Sequence, residues 1–127
     1  MECSCSIDVC CDEEEYEDAE HKTILFDSEL IKIFCGECGT RIKKGEKYEW
    51  YRGSYDGKKH IHHTCLDCVS LRENFFNGWS FESTWDDFFD NMDDCEWEVP
   101  EKCLSRCTPK TRDKICSMIE EYWEDLE

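Results

Sequence analysis

The chain contains no apolar run approaching the roughly 20 residues that a membrane-spanning helix requires. Its opening, "MECSCSIDVCCDEEEYEDAEH", has neither the basic segment nor the apolar stretch of a secretory leader and turns acidic at Asp12. A soluble protein of the cytoplasm, with thiols kept reduced, is therefore expected. Positive charge is scarce: 15 Lys and Arg face 32 Asp and Glu, a formal net charge of −17. Nucleic-acid affinity rests largely on cations that neutralise phosphates, so direct nucleic-acid binding is not expected. The small basic groups at Arg41, Lys43, Lys44 and Lys47 and at Lys58 and Lys59 read as a solvated rim. There is no phosphate-cradling glycine loop, no nucleophile at motif spacing from a base and no metal site with ligands to spare, which argues against an enzyme, and no internal repeat is found.

What the chain has in excess is cysteine, twelve in 127 residues. In a reducing compartment that density points to metal rather than disulfides. Two Cys-x-x-Cys pairs stand out, "CGEC" at Cys35 and Cys38 and "CLDC" at Cys65 and Cys68. Zinc takes four soft or borderline ligands in a tetrahedron, and each pair supplies two sulfurs because the intervening residues let the backbone fold back. Gly36 and Gly39 suit the tight, partly left-handed backbone of such a knuckle.

A chain of this length suits one compact domain with a small core. Residues 1–22, holding Cys3, Cys5, Cys10 and Cys11 and the run "DEEEYEDAE", read as an extended acidic arm, and residues 23–127 as the single domain. Short strands are predicted at Ile24 to Phe26 and Leu30 to Phe34, followed by a hairpin through "YDG" that alternates Tyr48, Trp50 and Arg52 and returns through His60 and His62. A helix is predicted from Thr64 to the stop at Asn77 and Gly78, with Cys65 and Cys68 at i, i+3 in its first turn. Phe81, Trp85, Phe88, Phe89 and Met92 form the apolar stripe of an acidic second helix. A third, capped by Thr108 with Pro109 at its first position, carries Ile115, Met118, Ile119, Tyr122, Trp123 and Leu126. These stripes read as core.

The order knuckle, hairpin, helix over residues 30–76 resembles the treble-clef zinc fingers. That implies an α+β, zinc-stabilised treble-clef domain with two further C-terminal helices. More specifically, "CGECGTRIKKGEKYEW" and "HTCLDCVSLRENFFNGWSF" look like small Cys-rich proteins encoded by bacteriophages and prophages, to which the Cys-x-Cys opening and acidic C-terminal helix are also similar. The resemblance implies a phage accessory protein in the bacterial cytoplasm. Cys10 and Cys11 depart from that pattern.

Two alternatives attach to the same residues. A thioredoxin-like centre needs a βαβ setting, which is missing. A ββα-metal (HNH-like) nuclease would place a general base on the strand of "HIHH", with His60, His62 and His63, but no His or Asn pair follows on the helix to hold a catalytic ion. The histidines read as hairpin residues, with His63 a substitute ligand in a version of the site built from three cysteines and one histidine. For a second zinc, "CSC" can chelate through Cys3 and Cys5 together with Cys95 and Cys103, which bracket the Pro-containing loop "EWEVPEK". The competing set is Cys3, Cys5, Cys10 and Cys11. Cys107 and Cys116 read as free thiols, Cys116 on the buried side of the last helix. The remaining surface is acidic along the arm, the second helix and the C-terminus. It suits either an adaptor for a basic protein partner or a phage inhibitor that imitates DNA before a host nucleic-acid-binding or defence protein.

Overall fold

The computed structural model describes residues 7–8, 17–55, 57–79 and 81–125. It is an α+β fold of two small antiparallel sheets, one parallel two-stranded pair and, among the described residues, four helices. Strand β1 (Ile7–Asp8) comes first, then β2 (Glu17–Leu25), β3 (Ile33–Phe34), β4 (Arg41–Ile42), β5 (Lys47–Tyr55) and β6 (Lys58–Cys65). Helix α1 (Leu66–Phe75), strand β7 (Phe76–Gly78) and helices α2 (Thr84–Asp94), α3 (Glu101–Ser105) and α4 (Pro109–Asp125) complete the chain.

The hairpin lies where its alternation predicts. β5 pairs antiparallel with β6, placing Trp50 opposite His63 and Tyr48 opposite Cys65, and β2 pairs along the other edge of β5. β2 starts at Glu17, inside the stretch read as an arm, because charged residues on an edge strand can face solvent while the backbone pairs. The predicted strand from Leu30 shrinks to Ile33–Phe34, leaving Leu30 95% exposed. Thr64 is the penultimate residue of β6 rather than the helix cap, since the ladder to β5 continues through Cys65, which is itself the cap position of α1.

Two cores result. The larger gathers Leu71 and Phe75 of α1, Phe76 of β7, Phe88 and Met92 of α2, Trp97, Cys103 of α3, Cys107 between α3 and α4, Ile115 of α4, and Ile7 of β1. Ile7 is 5% exposed because β1 lies parallel to β7 and feeds its side chain into the helical layer. The smaller core is Phe26, Ile42 and Tyr48 under the sheets. Between them Arg72 of α1 pairs with Glu49 of β5 at 2.5 Å, with the two side chains 6% and 12% exposed, and its guanidinium lies 3.7 Å over the Trp79 ring. The end of α2 is unusual. Glu96 and Trp97 both have left-handed backbone, φ 56° and 58°, a conformation that costs a non-glycine residue roughly 1 to 2 kcal/mol. Burial of the Trp97 indole, together with the bond from the Trp97 backbone N–H to the Met92 carbonyl at 2.8 Å, offsets that cost.

Candidate metal centre

Cys35 leaves β3 and enters a loop that returns to β4. Its N–H bonds the Thr40 carbonyl and its carbonyl accepts the Gly39 N–H, both at 2.9 Å. The turn needs a left-handed residue, supplied by Gly39 at φ +75°. Gly36 has no such role. It donates its N–H to the His63 carbonyl at 2.8 Å, which docks the knuckle against β6, and a Cβ there would meet only an ordinary contact at 3.7 Å. Cys65 ends β6 and Cys68 lies in the first turn of α1, so one strand-to-helix junction delivers the second pair.

The four sulfurs converge. Cys35 to Cys68 is 3.7 Å, Cys38 to Cys65 3.8 Å and Cys65 to Cys68 3.5 Å, and all four Sγ atoms lie within 4.8 Å of one another. Sulfurs held at about 2.3 Å around one zinc form a tetrahedron with edges of about 3.8 Å, so the spacing matches a single tetrahedral ion. Four protein ligands would close that tetrahedron and leave no position for substrate. Among the described residues this is the one group of His, Cys, Asp and Glu side chains close enough to share a metal. With no cation among them the sulfurs cannot all carry charge: hydrogen bonds from Cys35, Cys65 and Cys68 hold the Cys38 thiol far down, while bonding to Cys35, Cys38 and Cys65 forces the Cys68 thiol far up. A divalent ion removes the conflict by favouring all four thiolates.

The surroundings orient these ligands. The Glu37 N–H approaches the Cys35 sulfur at 3.4 Å and the Trp85 indole N–H donates to Cys68 at 3.2 Å. Cys35 and Cys68 are 2% exposed, while Cys38 and Cys65 are half-buried at the rim of a cleft shared with Lys110 and Lys114. Lys114 Nζ sits 3.9 Å over the Trp85 ring. Those cations lie where a zinc centre with four thiolate ligands would carry net negative charge.

The spacer residues of both pairs hold the helical layer, which spacing alone does not reveal. Glu37, within the first pair, accepts the Glu82 N–H at 2.6 Å and the Thr84 N–H at 3.1 Å, capping the start of α2 and fixing Glu82 at φ 71°. Asp67, within the second, accepts the Thr108 hydroxyl at 2.6 Å, and its carbonyl accepts the Thr111 hydroxyl at 2.6 Å, which seats the start of α4. Their signal is an acidic residue in each Cys-x-x-Cys, ambiguous without knowing where the helices go.

The other candidates fall elsewhere. His63 presents its carbonyl, not its ring, to the knuckle; the ring packs edge-on to Tyr48 with centroids 5.5 Å apart, and burial lowers its pKa. His62 stacks face to face on Phe81 at 3.8 Å. Cys3, Cys5, Cys10 and Cys11 lie outside the described residues. Cys95 and Cys103 are buried, at 5% and 0% exposure, and both are disulfide-bonded, against the expectation of metal rather than disulfides. A sulfur in a disulfide is not a thiolate donor, so a second zinc on these two would require both to be reduced. Cys107 and Cys116 are free; Cys107 is buried and Cys116 only partly so. No helix of the described residues is long and apolar enough to cross a membrane. No protein-family model, curated protein or solved structure matches the chain.

Proposed function

We propose that this chain is a non-catalytic interaction module: a treble-clef zinc finger on Cys35, Cys38, Cys65 and Cys68 whose ion locks an acidic helical layer in place for a basic protein partner. The observation that carries this reading is the closed sulfur tetrahedron whose own spacer residues, Glu37 and Asp67, cap and seat α2 and α4. Such a centre supports a surface rather than a reaction. The sign of the partner follows from the net charge of −17 and from how few carboxylates, those of Glu20, Glu29 and Glu49, pair with a Lys or Arg among the described residues. On the likeness to phage-encoded Cys-rich proteins, the partner is a host or phage protein of the bacterial cytoplasm.

Two measurements test the proposal. Elemental analysis of the purified protein should return a tightly held zinc that is lost in Cys38→Ser. Affinity capture from bacterial cytosol should retain a basic protein at low salt and release it as salt rises. Release of that protein by added DNA would identify it as a nucleic-acid-binding protein and the module as a DNA mimic. Zinc content unaffected by Cys38→Ser, or capture indifferent to salt, would overturn the reading.

A further inference from the structure

Between the end of α2 and the last turns of α4 lies a cavity of about 220 Å³. Three aromatic rings, Phe89, Trp97 and Tyr122, line it together with the carboxylates Asp93, Glu121 and Asp125. The Phe89 and Trp97 rings meet edge to face, with centroids 5.2 Å apart and planes at 68°, and Trp97 and Tyr122 lie 6.3 Å apart at 36°. Phe89 stays 48% exposed although it is aromatic and neighbours Phe88, which is fully buried on the same helix.

None of the Lys and Arg ion pairs among the described residues uses Asp93, Glu121 or Asp125. Lys114, on the same helix as two of these carboxylates, is turned to Trp85. The face of an aromatic ring carries negative potential, as does a carboxylate, so walls and rim attract the same kind of occupant. An anion would be repelled by both. A neutral apolar group would draw water away from three carboxylates and return nothing to them. A cation on a flexible apolar stem satisfies both: the stem lies along the rings and the charge reaches the carboxylates.

We infer that this cavity receives the cationic side chain of a basic protein segment, a lysine ammonium or an arginine guanidinium. The inference rests on the reading of the acidic face as a docking surface and names the place on it where a partner anchors. Deca-lysine is the probe, titrated into the zinc-loaded, 15N-labelled full chain while the indole N–H resonances are followed. Binding should weaken with salt and shift the Trp97 indole. Phe89→Ala should weaken it about fivefold, as expected for the loss of one cation-facing ring. Glu121→Gln, on an exposed position and nearly the same shape, should weaken it and flatten its salt dependence, whereas Asp86→Asn, on another part of α2, should leave the Trp97 response intact. Binding that leaves Trp97 unmoved and is unchanged in both Phe89→Ala and Glu121→Gln would overturn the cavity while sparing the acidic surface. Absence of any deca-lysine binding would overturn both.

Discussion

The indole of Trp85 is the clearest case of a side chain that supports the candidate metal centre without being one of its four sulfur donors. Its N–H on the Cys68 sulfur at 3.2 Å favours the thiolate and fixes its direction. Trp85→Phe, which keeps most of the ring and removes the donor, should lower zinc affinity by about tenfold in competition with a chromophoric chelator. Glu49 acts differently. Glu49→Gln would leave Arg72 charged and buried with a weakened partner, a loss of about 3 kcal/mol readable as a lower urea midpoint. Among the free thiols, burial raises the pKa of Cys107, so at a given pH less of it is thiolate. Alkylation at about pH 8, near the ordinary thiol range, should therefore reach the partly exposed Cys116 well before Cys107, a difference that peptide mass spectrometry would record.

At the scale of elements, Glu37 ties the loop of the first Cys pair to α2, and Asp67 ties α1 to the start of α4. Glu37→Ala removes both acceptors at the start of α2, and about 1 to 2 kcal/mol of local stability should be lost. Hydrogen exchange should show it as faster exchange at Thr84, with the β5 amides little changed. Much of this architecture is legible in the amino-acid sequence. The period-two pattern around Trp50, the spacing of the four cysteines and the stripe that starts at Ile115 each repeat a signal over several residues, although Trp123 of that stripe is 48% exposed and Leu126 lies outside the described residues. What is not legible lacks repetition. Helix α3 has five residues, too few to show a period, and hides in what reads as a Pro-containing loop. Ile7 is a lone apolar residue in a polar stretch whose burial depends on β7, far along the chain. The helix expected to reach Asn77 ends at Phe75 because Phe76 is claimed by that same pairing. Caps supplied from more than 40 residues away, as Glu37 caps α2, leave no local trace.

Across the whole molecule the two cores are unequal. The sheet side has three buried core residues against ten in the helical layer, so the centre between them matters most to the sheet side. Removal of metal by a chelator should abolish the sheet's tertiary structure while much of the helical circular dichroism persists; a single loss of both signals together would show instead that the layers unfold as one. The uneven cover of the four sulfurs has a further, kinetic consequence. Cys35 and Cys68 are 2% exposed, so ligand exchange should start most readily at the half-buried Cys38 and Cys65, in the cleft that Lys110 and Lys114 also line. A multiply anionic chelator must first approach a body of charge −17 before it reaches those two lysines. Added salt lowers that long-range barrier, so zinc should leave faster as ionic strength rises.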